Sequence, residues 1–170
     1  MAFSQKSIFL FVSLLMLNQY VNGDGPLIKG ICSKTAVHDA CVECLNSDPQ
    51  ASDLRGYVFT SINCPLRQSQ VAGHLLDERK ASETDPSVKK AYDDCVGDLL
   101  TIQQSFLQAI NGWSARDYKA AEDKATEAFD IFSGDCAHLQ GLEVSADVTA
   151  ALAKETAFIQ NAQEVIKQIM

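Results

Sequence analysis

Basic residues are scarce in this sequence, 14 Lys and Arg against 22 Asp and Glu, and histidines number only three in 170 residues. No Lys/Arg run is interleaved with aromatics and no polybasic helix is present, so the patterns that bind nucleic acid or anionic lipid are missing along with the charge they need. A net charge of −8 favours a partner with a basic surface instead. His38, His74 and His138 lie on different segments without metal-ligand spacing, and there is no GxSxG elbow, P-loop, GxGxxG or HExxH. These absences argue against an enzyme, a metal site and a bound cofactor. No Asn stands in an Asn-x-Ser/Thr sequon, which excludes N-glycosylation, and no repeat or low-complexity tract is found.

What is present begins with a leader. Met1 to Gly23 carries one early positive charge, Lys6, an apolar stretch from Ile8 to Leu17, and Val21 and Gly23 as small residues before a cleavage point. An apolar stretch of ten residues falls short of the roughly 20 that span a bilayer, so the segment reads as a cleaved signal peptide over residues 1–23. The 170 residues less these 23 leave 147, enough for a single domain with a real core, and without Lys6 the net charge moves to −9. Secretion implies an oxidising compartment, which changes how every later cysteine is read.

Periodicity after the leader is helical almost throughout, and the fold class is all-α. Two short segments, Leu27 to Ala36 and Asp39 to Leu45, are ended by the turn residues Asn46-Ser47-Asp48-Pro49 and make an α-hairpin over residues 24–50. A longer helix runs from Asp53 to about Lys80, with a kink or break expected at Asn63-Cys64-Pro65, because Pro lacks the amide donor. Asp85 as cap and Pro86 at the first position start the next helix. Its stripe of Val88, Tyr92, Cys95, Leu99, Ile102, Phe106, Ala109 and Ile110 is expected to end near Asn111-Gly112. A third helix from Asp117 carries Tyr118, Ala121, Ala125, Ala128 and Phe132, and a fourth from about Asp147 carries Val148, Ala151, Leu152, Ile159, Ala162, Ile166 and Ile169. Residues 53–170 therefore read as an up-down-up-down four-helix bundle.

Several motifs taken together resemble one protein family. Cys32-Ser33-Lys34-Thr35 is followed nine positions on by Cys41, then by Leu45 with Ser47-Asp48-Pro49 and by Asp53-Leu54-Arg55-Gly56. Asp85-Pro86 precedes Lys89-Lys90, Tyr92 and Asp94-Cys95, and Asp117-Tyr118 precedes Ala128-Phe129-Asp130 and Cys136. In order and spacing these are similar to the plant invertase and pectin methylesterase inhibitor family, across nearly the whole mature chain. Cys95-Val96-Gly97 and Arg116-Asp117-Tyr118 also resemble its pollen-allergen branch, named for invertase inhibition. The resemblance implies a four-helix bundle preceded by an α-hairpin, disulfides Cys32–Cys41 and Cys95–Cys136, secretion to the cell wall, and stoichiometric blockade of a carbohydrate-active enzyme. Two cysteines remain, of the six that allow 15 pairings in principle. With Cys41 committed and no second CxxC, Cys41-Val42-Glu43-Cys44 does not read as a redox or zinc motif. Cys44 is left either to pair with Cys64 or to stay, like it, a free thiol.

The target enzyme is less clearly written. Invertase-directed members carry a Pro-Lys-Phe segment, and the matching Tyr118-Lys119-Ala120 keeps only the Lys. Pectin methylesterase inhibitors show acid, Tyr and Thr positions where this chain has Gly97, Leu99 and Asp135. Pectin methylesterase is slightly favoured, with an acid invertase of the cell wall or vacuole as the alternative. Asp93, Asp94 and Asp98 would then be acidic contacts on the exposed side of the second long helix, with Tyr118 and Lys119 nearby on the third; a solvated helix face is the plain alternative. A secreted helical protein without inhibitory activity, or a small-ligand carrier, is a further alternative. The Ala-rich third helix argues against the cavity a carrier needs.

Overall fold

The structure, a computed structural model, describes residues 25–140 and 142–170, so the leader assigned to residues 1–23 lies outside the described residues. Seven helices and no strand are found among the described residues: α1 (Pro26–Cys32), α2 (His38–Asn46), α3 (Leu54–Ser82), α4 (Pro86–Ser114), α5 (Tyr118–Phe132), α6 (Asp135–Gln140) and α7 (Ala146–Lys167). Helices α3, α4, α5 and α7 close a ring in which each packs on its two neighbours in the order α3–α4–α5–α7. Short connections force successive members antiparallel, which gives the up-down-up-down bundle. The pair α1–α2 is the hairpin, and α2 lies against α3 and α7.

The helix starts follow from capping chemistry. Asp53, Asp85 and Asp117 stand before α3, α4 and α5 and accept from the amides of Gly56 at 2.7 Å, Ser87 at 2.7 Å and Ala120 at 3.0 Å. Each bond satisfies one of the amides that a helix N-terminus leaves without a partner. Pro26 and Pro86 begin α1 and α4, where a missing donor costs nothing. The stripe on α4 from Tyr92 through Cys95, Leu99, Ile102 and Phe106 to Ala109 is buried, as are Ala121, Ala125, Ala128 and Phe132 of α5. Large side chains on α4 thus meet alanines on α5, and the two backbones lie close.

At two places the backbone departs from the expectation. Of the kink or break expected at Asn63-Cys64-Pro65, the break does not occur: α3 continues as one helix from Leu54 to Ser82 with Pro65 buried inside it. An interior Pro costs about 3 kcal/mol through its lost donor and crowded ring. Here the turn is held by tertiary structure, since the neighbouring Cys64 is bonded to Cys44 of α2. Helix α4 also runs past Asn111-Gly112 to Ser114. Gly112 serves close packing instead: a Cβ there would lie 3.0 Å from the Ala121 amide nitrogen and 3.2 Å from the Asp117 carbonyl oxygen.

Arg116 takes the terminating role, with φ of 64°. The Asp117 amide donates to the Gly112 carbonyl at 2.9 Å and the Arg116 amide to the Trp113 carbonyl at 3.1 Å. That pair of bonds is the Schellman ending, whose left-handed residue is usually Gly. Two substitutions separate these effects in denaturant unfolding. Gly112→Ala is expected to destabilise by about 1–3 kcal/mol through overpacking. Arg116→Gly should be neutral or stabilising by up to about 1 kcal/mol, because the left-handed strain offsets the entropy of an added Gly.

Candidate functional site

Three disulfides fix the frame on which any binding surface is carried. Cys32–Cys41 closes the hairpin, Cys44–Cys64 fastens α2 to α3, and Cys95–Cys136 joins α4 to α6, with Cα atoms 5.5, 5.9 and 4.5 Å apart. No described cysteine is free. By chain entropy the loops of 9, 20 and 41 residues contribute about 2.6, 3.3 and 3.9 kcal/mol. Around the second bridge the Arg67 guanidinium donates to the Ser47 hydroxyl at 2.7 Å and Glu43 pairs with Lys154, so α2 is fastened to α3 and α7 by side chains as well.

The acidic residues of α4 occupy different environments. Asp93 is exposed and pairs with Lys80 across the α3–α4 seam, and Asp94 pairs with Lys90 one turn earlier on its own helix. Both partner lysines have their pKa raised, first by the hydrogen bond to the carboxylate. Exposed pairs of this kind contribute little to stability, which leaves the two carboxylates available to a partner. Asp98 is different. It is half-buried, and its Oδ2 accepts from the Asp135 amide at 3.0 Å, holding the start of α6 beside Cys136. Burial pushes its carboxyl pKa up, opposed by the amide donors of Asp135 and Cys136.

Tyr118 and Lys119 are not near this acidic group. They open α5 at the far end of the bundle, where the Tyr118 ring lies 4.7 Å from the Trp113 ring. Trp113 stands fifteen residues beyond Asp98 on one helix, about 22 Å at 1.5 Å per residue. Because α4 and α5 run antiparallel, the pair expected to adjoin Asp98 sits at the opposite end. Lys119 is held by Asp123 and Glu122, and the hydrogen bond it donates to Asp123 is the main reason its pKa is raised.

Several surface grooves lie on the described residues of the bundle, among them one of about 340 Å³ beside Phe59 and Trp113 and two that flank α3. Of these two, one, of about 240 Å³, runs between α3 and α4 beside His74, Asp77, Leu100 and Gln103, and the other, of about 200 Å³, lies beside Cys44–Cys64, Arg67 and Phe158. Leu100 and Leu107 are exposed on the outer face of α4, seven residues apart. Among the described residues no His, Cys, Asp and Glu side chains gather as a metal site, and no helix is long and apolar enough to cross a membrane.

The class these features define is a disulfide-braced helical scaffold that presents side chains from a rigid surface. Sequence comparison places it further. The "Putative invertase inhibitor" of Platanus acerifolia is 30% identical over 131 residues, covering 72% of this chain and 72% of that protein. The "Pectinesterase inhibitor" of Actinidia deliciosa is 30% identical over 141 residues, 76% of each chain. A mutant form of a pectin methylesterase inhibitor from Arabidopsis has a TM-score of 0.72 over 82% of this chain and 95% of that one, at 18% identity, which is a likeness of fold. No protein-family model matches the chain. On the two sequence relationships this chain belongs to the plant invertase and pectin methylesterase inhibitor family, whose members found here are inhibitors and not catalysts.

One important residue lies outside the sequence expectations. Glu155 is fully buried on α7, between Leu152 and Ile159 of the apolar stripe. The signal is readable afterwards: position 155 continues the 148, 152, 159, 162, 166 spacing, so a Glu there points inward. Asp98 offers a test of the division made above. Asp98→Ala is expected to cost about 1 kcal/mol in unfolding experiments by freeing the Asp135 amide, whereas Asp93→Ala and Asp94→Ala should each stay within about 0.5 kcal/mol.

Proposed function

We propose that this chain is a secreted inhibitor that blocks a plant cell-wall pectin methylesterase by covering the mouth of its cleft with the α4 side of the bundle. The observation that carries the reading is the 30% identity to the Actinidia pectinesterase inhibitor over 76% of both chains. The scaffold supports it. A surface fixed before association loses little conformational freedom on binding, and three disulfides with alanine-lined packing supply that rigidity. Asp93 and Asp94 are the acidic contacts of the proposal, with Asp98 behind them ordering the start of α6. Leu100 and Leu107 continue the same face as its apolar part. Inhibition requires no chemistry, only exclusion of the polysaccharide by a one-to-one complex.

The second reading is a cell-wall or vacuolar invertase as target, and it is favoured by the relationship to the Platanus protein. In that case the contact moves to the other end of the bundle, where Tyr118 and Lys119 stand beside Trp113. The acidic contacts of the first reading, Asp93 and Asp94, lie about 30 Å along α4 from Trp113, so substitutions separate the two readings.

Titration of the purified mature chain against a plant pectin methylesterase and a cell-wall invertase decides between them. Complete loss of pectin methylesterase activity at one equivalent is the expected result. Replacing Asp93 and Asp94 together by Ala should weaken that inhibition about tenfold, mostly through a slower and less salt-sensitive association. Loss of invertase activity alone, weakened by Lys119→Ala, would move the assignment to the second reading. Full activity of both enzymes at excess inhibitor overturns the proposal.

A further inference from the structure

Glu155 is the one carboxylate among the buried side chains of the described residues, and no described Lys, Arg or His is buried with it. Its carboxyl lies at the seam between α7 and α3, where Oε1 is 2.6 Å from the Ser69 hydroxyl oxygen, while Oε2 has no hydrogen-bond partner. The same hydroxyl lies 2.7 Å from the Pro65 carbonyl oxygen. Ser69 has one hydroxyl proton and stands between two oxygens, one of which, the carbonyl, can only accept. A carboxylate on the other side would also only accept, and one of the two short contacts would then hold no proton. With the proton on Glu155 both are filled: the carboxylic acid donates to Ser69 and Ser69 donates to Pro65.

We propose that Glu155 is held in the folded protein as a neutral carboxylic acid that donates to Ser69, making the α3–α7 seam a clasp closed by a proton. The surroundings agree from every side. Helices α2, α3, α5 and α6 pack on α7, and the buried faces they present contain no charged group among the described residues. The charged groups on this side of the bundle stay at the surface: Lys154 pairs with Glu43, Arg67 donates to Ser47, and Asp135 and His138 of α6 are exposed. Burial pushes the Glu155 pKa up to about 8.

The sign of the consequence follows from proton linkage. Below about pH 4.5, the ordinary value for this carboxyl, folded and unfolded chains both hold the proton and the clasp contributes fully. As pH rises above that value the unfolded chain releases the proton while the folded chain keeps it. The unfolding constant therefore climbs by up to about tenfold per pH unit until about pH 8, on the order of a thousandfold in total. The scaffold is tightest in acid and loosens toward alkaline pH, whichever enzyme it binds.

Denaturant unfolding of the disulfide-intact chain between about pH 5 and pH 8 tests this with Glu155→Gln, an isostere of the neutral acid that still donates to Ser69. The ratio of wild-type to variant unfolding constants should rise by more than a hundredfold over that range, and a ratio independent of pH overturns the proposal. Wild-type protein labelled with ¹³C at glutamate carboxyls gives a second readout that needs no variant. One carboxyl carbon should keep its protonated shift at about pH 6.5, where ordinary glutamates are ionised. If every glutamate carbon titrates near its ordinary value, Glu155 carries no proton and the clasp does not exist.

Discussion

The close approach of α4 and α5 is the constraint on which the rest of the bundle depends. Ala121, Ala125 and Ala128 let α5 lie near the large stripe of α4, Gly112 lets the first turn of α5 touch the end of α4, and Cys95–Cys136 secures the other end. Widening this seam by a methylene at any of these points would shift α5, and with it α7, which packs on α5 as well as on α3. The ring of four helices has no slack member. A binding surface on α4 therefore inherits its rigidity from alanines on the helix behind it.

Much of this was legible in the sequence because the signals were local and redundant. Asp85-Pro86 states a helix start by two independent effects, and the buried stripe of α4 repeats often enough to fix the face as well as the helix. The misreadings share a cause. Pro65 and Gly112 act locally as interruptions, but each is overruled by something distant in sequence: a disulfide to Cys44 in one case and the packing of Ala121 in the other. Arg116 could not be read as a helix terminator, because the left-handed position usually belongs to Gly.

The candidate site was legible as a set of residues and not as an arrangement. Asp93, Asp94 and Asp98 are close in sequence, but the first two meet lysines at the surface while the third is spent on α6. Residue type could not announce that difference, since it depends on where the chain returns after α5. The placement of Lys119 failed for a simpler reason: an antiparallel pair brings the end of one helix to the start of the next, not to its middle. The same geometry that makes the bundle compact thus separates the two proposed contact surfaces.

The hairpin bridges also set the path along which a pulling force would travel. Tension on the segment before α1 passes from Cys32 to Cys41 through sulfur, skips the turn between them, and passes again from Cys44 to Cys64. It enters the bundle at Cys64, so the first turns of α3, from Leu54 to Asn63, carry none of the load. A chain attached or tugged at its N-terminal side would strain the middle of α3 directly. The hairpin is thus a short covalent strap whose load falls on the middle of α3.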